Sequence, residues 1–260
     1  AELRSPEPGV PDSTARLARS PVAVYCLSLT ERQMSVGATR ILAVDTATEC
    51  CSAACLVGGE IYERSALDPQ GHSRLLLPMI EEVLREAGIS RHALDAVVYD
   101  AGPGSFTGIR IGAGVAQGIA LALKKPLLAV SSLMILAEGI QDLVSPSDQI
   151  VAAIDARMEQ IYWGCLERDA DASGGWRWRE EPRVSDPEVL SKRVPGCVGV
   201  GSGWDRYASV FQANADCVWH AGAFPQAVFG ARVASRLLNQ GVKGEWRQAT
   251  PAYVRNDVTN

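Results

Sequence analysis

One stretch of the sequence restricts the fold more than any other: an apolar segment, residues 108–124, that is helix-like and yet contains four glycines. The glycines are interleaved with alanines and are Gly108, Gly112, Gly114 and Gly118. Each glycine inside a helix costs about 1 kcal/mol relative to alanine. Such a helix is therefore kept only where another backbone packs very close to it. Composition leaves open whether that neighbour is the chain's own sheet or a second protein.

The residues around this helix alternate between short apolar runs and one amphipathic stretch. Strands are predicted at residues 41–44, 52–57, 60–65, 96–99 and 127–130, with helices at 72–87 and 108–124. Pro78 lies inside the first helix and predicts either a kink or a late helix start, and Gly88 is placed as its C-cap. The order β-β-β-α-β-α-β with parallel crossovers indicates an α/β fold.

The remaining sequence divides the chain into three parts. Residues 1–39 are rich in Pro, Ser, Arg and Ala without periodicity, and we expect a disordered extension there. Residues 40–148 form the predicted first lobe. Residues 149–260 form the second lobe, with strands at 150–154, 160–167 and 198–203 and a helix at 224–238.

Charge and cysteine content limit the classes of function. The formal net charge is -5, whereas nonspecific affinity for nucleic acid comes from Lys and Arg neutralising phosphates. Alone, the chain should bind RNA poorly, and a partner would supply the basic surface. Seven cysteines without regular spacing fit a reducing cytoplasm better than export. No apolar run reaches the ~18 residues that a membrane-spanning helix requires, so no membrane partner is expected.

Two polar loops are candidate anion or nucleotide sites. Gly104 and Ser105 lie between a predicted strand and the glycine-rich helix, where helix-start amides could hold an anion. The favoured alternative is turn geometry, with Ser105 or Thr107 capping the helix. The spacing is neither that of a Walker loop nor that of a Rossmann fingerprint.

The second polar loop follows the first strand. Asp45, Thr46 and Thr48 could present a carboxylate and hydroxyls to phosphate or a magnesium ion. No lysine accompanies them, and polar residues at a strand end are common turn formers. The turn interpretation is favoured here too.

Residue patterns for catalysis are scarce. None of the three histidines has the spacing of a helical metal pair, and no Gly-x-Ser-x-Gly elbow occurs; the histidines are His72, His92 and His220. His72, at a helix start, is predicted to be a partly exposed surface or capping residue. Cys50, Cys51 and Cys55 form no Cys-x-x-Cys pair and are predicted to be small core residues. The Trp-Arg alternation at residues 176–179 could stack bases, but an exposed hairpin strand is favoured.

Six segments, taken in order, resemble the TsaB family. They are ILAVDTATECCSAAC from residue 41, HSRLLLPMIEEVL from 72, GPGSFTGIRIGAGVAQGIALAL from 102, AVSSL from 129, IDARMEQIY from 154 and PAYVR from 251. The glycine-rich segment with its upstream His-Ser-x-x-Leu-Leu-Pro helix is highly specific.

The resemblance implies an actin-like fold of the sugar kinase and heat-shock ATPase type, with two lobes of which the second is reduced. It also implies a non-catalytic scaffold or activator in the complex that forms threonylcarbamoyladenosine next to the tRNA anticodon. TsaD-like catalytic chains carry a metal-binding His-x-Glu-x-His motif where this chain has residues 132–136, and Ser132 and Leu136 cannot replace two imidazoles. The chain should therefore not perform the transfer alone.

The family's partners are a TsaD-like catalytic subunit and a TsaE-like ATPase, with tRNA reached only through the complex. This chain is expected to require no cofactor itself, whereas ATP or ADP with Mg would act at the level of the complex. Pairing is expected through the two predicted helices, and a homodimer is a further expectation because an exposed interface helix is sticky. The expected interface residues are Leu75, Leu76, Met79, Val83, Gly112, Val115 and Ile119.

Two other functions on related scaffolds stay open. A stand-alone metallopeptidase or glycoprotease-like hydrolase would need a metal site, or a nucleophile with its base. An ATP-dependent small-molecule kinase would need an adenosine-side glycine motif, for which residues 199–203 are the candidate.

Overall fold

Both halves of the chain build a five-stranded sheet, and the two sheets share one strand order. The computed structural model describes residues 39–169, 175–193, 195–213 and 217–244. The extension predicted for residues 1–39 lies outside them, apart from its last residue.

The first sheet has the order β3-β2-β1-β4-β5. Its first three strands form an antiparallel meander, and the last two run parallel to β1. The strands are β1 (Arg40–Asp45), β2 (Cys50–Val57), β3 (Glu60–Leu67), β4 (Ala96–Gly102) and β5 (Leu127–Ser131). Three helices accompany them: α1 (His72–Glu86), α2 (Phe106–Leu123) and α3 (Ser132–Gly139).

The second sheet repeats this plan in the order β8-β7-β6-β9-β10, with an antiparallel meander followed by two parallel strands. Its strands are β6 (Ile150–Asp155), β7 (Ile161–Arg168), β8 (Trp176–Ser185), β9 (Val198–Val200) and β10 (Val218–His220). The helices are α4 (Pro187–Ser191), α5 (Ser202–Arg206), α6 (Ala208–Ala213) and α7 (Ala227–Asn239). Three of these helices have six residues or fewer. The predicted α/β, actin-like fold with a reduced second half is thus confirmed.

The central strands of the first sheet are buried on both faces, which explains their small, apolar side chains. Every residue of β2 is buried. One face packs under α1 and α2, with Cys51 and Cys55 in that core as predicted. The opposite face packs under α7. Continuous rather than alternating apolar strands are what such two-sided burial requires.

The helix α7 comes from the second half of the sequence and covers the first sheet. Its first amide, of Ala227, donates to the Ser52 hydroxyl on β2 over 2.9 Å, and its apolar side packs on β1, β2 and β4. All strands of the first sheet precede residue 148 and all strands of the second follow it. The division of the body into two lobes near residue 148 stays a prediction. The helix α7 crosses this division, because it follows residue 148 in the sequence and packs on the first sheet.

One predicted helix end is confirmed and two predicted boundaries were wrong. Gly88 has φ 66° and its N–H donates to the Arg85 carbonyl, so it ends α1 as predicted. The helix α1 begins at His72 with Pro78 inside it, so the late start was wrong. The strand predicted at 198–203 ends at Val200, because Gly201, with φ 103°, begins the turn into α5.

The glycines of α2 lie on two different sides of the helix. A Cβ on Gly108 would lie 2.0 Å from the Thr46 carbonyl oxygen, and one on Gly112 would lie 2.6 Å from the Thr46 Oγ1. At Gly114 and Gly118 a Cβ would meet no atom of the described residues within 4 Å. The close neighbour of α2 is therefore Thr46 of the same chain, which lies beside Gly108 and Gly112. The side of the helix that carries Gly114 and Gly118 has no such neighbour among the described residues.

The same packing explains the composition of α2. Among the described helices it is the one that is long and apolar enough, by length and composition, to cross a membrane, although the sequence predicts no such stretch. Its inner residues, such as Ala113, Ala116 and Ala120, lie in the core against the first sheet. These contacts account for the apolar residues on the inner side of the helix.

Because the glycines of α2 lie on two sides of the helix, replacing them by alanine should have opposite effects on the free energy of unfolding. Gly114→Ala and Gly118→Ala should each raise the free energy of unfolding by up to about 1 kcal/mol, because the helix gains propensity and nothing collides. Gly112→Ala should lower it, because the added methyl meets Thr46 in a packed interior. Urea unfolding of the purified chain measures all three. Equal effects at positions 112 and 114 would contradict the assignment of sides.

Candidate functional site

The loop after β1 and the loop before α2 meet at the carboxyl edge of the first sheet, so the structure brings the two predicted polar loops together. The Ser105 amide donates to the Ala47 carbonyl over 2.7 Å. The Thr46 hydroxyl donates to the Gly108 carbonyl, also over 2.7 Å. A Cβ at Gly104 would lie 2.2 Å from the Ala47 oxygen. Glycine at 104 thus permits a backbone-to-backbone contact between the loops.

These hydrogen bonds use several of the groups expected to face a ligand. The Ser105 Oγ accepts from the Gly108 amide over 3.2 Å and caps α2, as the favoured interpretation predicts. Asp45 and Thr46 are each 1% exposed, and Thr48 is buried as well. The loops are therefore packed on each other, and binding of a nucleotide or anion at Asp45, Thr46, Thr48, Gly104 and Ser105 stays a prediction.

Beneath the loops lies a buried carboxyl pair, which the sequence analysis did not predict. Asp45 ends β1 and Asp100 lies on the adjacent strand β4. The Asp45 Oδ1 accepts from the Ala47 amide over 2.9 Å. The Asp100 Oδ1 accepts from the Gly102 amide at 2.7 Å and from the Ser132 hydroxyl at 2.5 Å. The Oδ2 atom of each carboxyl has no hydrogen-bond donor among the described residues.

Burial and mutual repulsion favour the protonated form of this pair. Burial, and then the charge of Asp100, raise the pKa of Asp45 well above its ordinary value. Burial raises the pKa of Asp100 to about 6, although its hydrogen bonds from Ser132 and Gly102 oppose the rise. Two neighbouring buried carboxylates cannot both ionise cheaply. The pair therefore retains a proton at a pH where exposed carboxyls have lost theirs.

His72 is a buried residue of this region, and its predicted partial exposure was wrong. It is 4% exposed, and its Nε2 lies 2.8 Å from the Thr48 carbonyl oxygen. This hydrogen bond attaches the first turn of α1 to the loop after β1. Helical position alone could not reveal the contact, because Thr48 lies 24 residues earlier in the chain.

Ser132 and Leu136, for which the resemblance implies metal-binding histidines in TsaD-like chains, are core residues in this structure. Ser132 and Leu136 are 0% and 1% exposed. The Ser132 hydroxyl bonds to Asp100, and Leu136 packs in the core beside the second sheet. Among the described residues, no group of three or more His, Cys, Asp or Glu side chains is arranged to hold a metal ion.

The predicted interface residues of α1 and α2 divide by orientation. Leu76, Val83 and Gly112 face inward, the first two being 1% and 0% exposed. They contact the chain's own core and cannot form an outer surface, so their inclusion was wrong. The reason is geometric: Leu76, Ile80, Val83 and Leu84 form the stripe of α1 that faces the sheet. The remaining predicted residues, partly buried beside the same core, are Leu75, Met79, Val115 and Ile119.

Three exposed apolar side chains on the same two helices were missed. Leu77, Phe106 and Leu121 are 53%, 62% and 53% exposed. The name outer α1–α2 face is used here for the solvent-accessible surface of the two helices, which includes these three residues and Leu75, Met79, Gly114, Val115, Gly118 and Ile119. Leu77 could have been recognised from the sequence, since it is a large apolar residue outside the buried stripe of its helix.

The Trp-Arg alternation is a strand with its two side-chain types on opposite faces. Trp176 is 9% exposed, and its indole N–H donates to Glu138 over 2.9 Å. Arg177 and Arg179 are on the other side and both pair with Glu167. The predicted hairpin strand is confirmed, and the buried tryptophan is not available to stack on a base.

Two groups of known proteins resemble this chain in sequence. The family model for TsaD, tRNA N6-adenosine threonylcarbamoyltransferase, matches residues 67–173. The tRNA threonylcarbamoyladenosine biosynthesis protein TsaB of Escherichia coli (strain K12) is 36% identical over 225 residues, which are 84% of this chain and 96% of that protein. The protein of the same name from Haemophilus influenzae is 34% identical over 226 residues, or 84% of this chain and 94% of that one.

Solved structures from Pseudomonas aeruginosa agree with the fold. One, described as an uncharacterized protein with similarity to peptidase YEAZ, has 36% identity and a TM-score of 0.75, covering 84% of this chain and all of its own. Another, described as YeaZ, has 37% identity and a TM-score of 0.74, covering 83% of this chain and 99% of its own.

The buried pair predicts a pH-dependent stability. Because the native pKa of Asp100 is raised from 3.8 to about 6, the native state keeps a proton that the unfolded chain releases. The stabilisation is complete below the unfolded pKa and is lost as the pH rises through the native one. Asp100→Asn keeps an oxygen acceptor but cannot ionise. We expect it to reduce the fall in unfolding free energy between about pH 4 and pH 7 by roughly 1–3 kcal/mol.

Urea unfolding at several pH values measures this effect. Asp142→Asn, which changes an exposed carboxyl on the surface, is the matched control and should leave the pH profile as it is. If the unfolding free energy of Asp100→Asn fell with pH in parallel with that of the unsubstituted chain, the raised native pKa of Asp100 would be contradicted.

Proposed function

The chain belongs to the TsaB family, and we propose that it acts in the biosynthesis of threonylcarbamoyladenosine in tRNA as a non-catalytic scaffold for a TsaD-type subunit. Its relatives from E. coli and H. influenzae carry the name of that biosynthesis. The match of residues 67–173 to the TsaD model indicates a shared ancestry with a threonylcarbamoyltransferase. The proposal assigns this chain the role of partner to such an enzyme.

The observation that carries the proposal is the outer α1–α2 face. It combines exposed large apolar side chains with two helix glycines, Gly114 and Gly118, whose outer sides meet no part of the described chain within 4 Å. Contiguous exposed apolar surface commonly marks a protein interface. Glycines on the outside of a helix allow a facing helix to approach closely, whereas they only cost stability in an isolated chain.

The partner that fits this face is a helical, largely apolar surface. At one end of the face, the Arg110 guanidinium lies 3.2 Å from the centre of the exposed Phe106 ring. Arginine and aromatic side chains are enriched at interfaces. Arg74 and Glu81 are exposed on α1 and supply a polar rim. A second copy of this chain would meet the same requirements in the absence of the TsaD-type subunit, which is how the expected homodimer would form.

Two features support a non-catalytic role. The residues at the position of a TsaD-like metal motif, Ser132 and Leu136, serve the internal packing described above. Two of the groups of the loop after β1 that a kinase would direct at phosphate have internal partners, since the Asp45 Oδ1 accepts from Ala47 and the Thr46 hydroxyl donates to Gly108. The transfer chemistry would then belong to the partner.

The kinase alternative is also weakened in the second half of the chain. Its candidate adenosine motif, residues 199–203, uses its glycines for internal contacts. A Cβ on Gly199 would lie 2.5 Å from the Trp204 ring, and one on Gly201 would lie 2.4 Å from the Ala153 oxygen. These glycines are required by packing alone, so their presence does not indicate a nucleotide.

The remaining parts of the proposal concern the complex. A TsaE-type ATPase joins it, and ATP or ADP with Mg acts there rather than in a site that this chain needs. The formal net charge of -5 makes strong independent binding to tRNA unfavourable, so tRNA is reached through the complex. The cytoplasm is the proposed compartment.

The test is pairing of the purified chain with the TsaD-type subunit of the same source, measured by size-exclusion chromatography with light scattering. Val115→Glu places a carboxylate in the outer α1–α2 face and should weaken pairing at least 100-fold, because a charge would be buried without a partner. The matched control is Val189→Glu, on α4, which is 44% exposed. It should pair normally. Circular dichroism confirms that both variants fold.

A threonylcarbamoylation assay on the same samples separates the roles. We expect modification only from mixtures that contain the TsaD-type subunit and the pairing-competent chain. Normal pairing by Val115→Glu would show that the face is misassigned, whereas transfer by this chain alone would contradict its non-catalytic role.

A further inference from the structure

Two cysteines face each other at the edge of the second sheet. Cys197 immediately precedes β9 and Cys217 immediately precedes β10. These strands pair in parallel, with Val198 opposite Val218. The two Sγ atoms lie 3.6 Å apart, in van der Waals contact and without a covalent bond. Neither thiol has a part in the function proposed above.

We propose that Cys197 and Cys217 form a reversible disulfide when the protein meets hydrogen peroxide. Adjacent strands lie about 4.8 Å apart, and a disulfide accommodates Cα separations of about 4.4–6.8 Å. The backbone spacing therefore suits the bond. The sulfur atoms must approach from 3.6 Å to about 2.05 Å, which side-chain rotation and a small strand shift can supply.

The unequal exposure of the two thiols assigns their order of reaction. Cys217 is partly exposed and meets the oxidant first. Cys197 is 2% exposed, and burial, followed by the neighbouring Cys217, raises the pKa of its thiol. A buried, protonated thiol is a poor first nucleophile but lies in position to resolve the product.

The chemistry balances in two steps. The Cys217 thiolate attacks one peroxide oxygen, the O–O bond breaks, and a sulfenic acid and hydroxide form, with the hydroxide taking up a proton to become water. The Cys197 sulfur then attacks the sulfenic sulfur. The S–S bond forms as the S–O bond breaks, and the leaving hydroxyl takes the Cys197 proton to give a second water. Two thiols are oxidised and one peroxide is reduced, and a dithiol reductant reverses the result.

The other described cysteines are poor competitors. Cys50, Cys51, Cys55 and Cys165 are buried, and burial raises the pKa values of these thiols to about 12, 11, 12 and 11. Cys165 shares a core cluster with Cys197, so it is the alternative partner that an experiment must distinguish. Among the described cysteines, only Cys217 is both partly exposed to solvent and in contact with another thiol.

The crosslink would fix an edge strand that has few other attachments. β10 has three residues and, among the strands of the described residues, pairs with β9 alone. Beyond that pairing, Asp205 accepts from the Trp219 indole N–H at 3.2 Å and from the Gly222 amide at 2.9 Å. Linking residues 20 apart in sequence restricts the unfolded chain. Oxidation should therefore stabilise the folded protein.

The experiment treats the full chain, carrying Cys26→Ser, with hydrogen peroxide. The serine removes a cysteine that lies outside the described residues. Trypsin cleaves after Arg206, between the two cysteines, so mass spectrometry without reduction should find one crosslinked peptide pair. The melting temperature should rise by roughly 5–10 °C and return with dithiothreitol. Cys217→Ser should abolish both effects, and Cys165→Ser, the matched control, should retain both.

Four results would overturn the proposal. They are the absence of a crosslink at a peroxide concentration that oxidises exposed methionine, a crosslink between Cys165 and Cys197, a crosslink between molecules only, and an unchanged response in Cys217→Ser. The same samples, tested for pairing with the TsaD-type subunit, keep the two proposals separate, because neither cysteine lies on the outer α1–α2 face.

Discussion

The contact on which most of this structure depends is the docking of the glycine-rich start of α2 onto the loop after β1. Three glycines permit it, because a Cβ at any of them would lie 2.0–2.6 Å from an atom of Thr46 or Ala47. At Gly104 and Gly108 the neighbouring atom is a backbone oxygen, so a side chain could be accommodated at these two positions only if backbone moved. The contact seals the loop over the buried carboxyl pair. It also fixes the rotation of α2, and this rotation leaves Gly114 and Gly118 on the outside. One side of α2 thereby packs on the loop after β1, and the other side forms part of the protein surface.

The short helix α3 joins the two sheets. Ile135 packs in the core under α7, whereas Leu133 and Leu136 pack in the core of the second sheet. Glu138, fully buried, accepts from the Trp176 indole on β8 and pairs with Arg236 on α7. A buried carboxylate is tolerated only when it is paired in this way. The segment between the two sheets thus serves as a structural bridge, held by apolar packing on both sides and by one buried ion pair.

Local features of the fold were predictable from sequence, and long-range pairings were not. Strand periodicity, the Ser105 cap and the Gly88 helix end follow from rules that act over a few residues. The contact of His72 with Thr48 and the pairing of Asp45 with Asp100 join positions 24 and 55 residues apart, and no local pattern records them. Periodicity also reveals which stripe of a helix is apolar, but not whether its own sheet or a partner covers that stripe. Leu76 and Val83 were therefore assigned outward when they face inward. The sequence likewise left open whether the glycines of α2 face the chain's own backbone or a partner, and only the atoms around each glycine in the structure decide between the two.

The position of α7 has a consequence for the order of events during synthesis. One face of the first sheet, including Ile41, Ala43 and Val98, is covered by a helix that lies between residues 227 and 239. A ribosome therefore completes all five strands of that sheet before the residues that cover it exist. Until α7 emerges, the nascent chain exposes an apolar sheet face, and such faces are prone to aggregate. The first half of this protein consequently depends on a late segment of its own chain, and it is in that interval that a chaperone would be most needed.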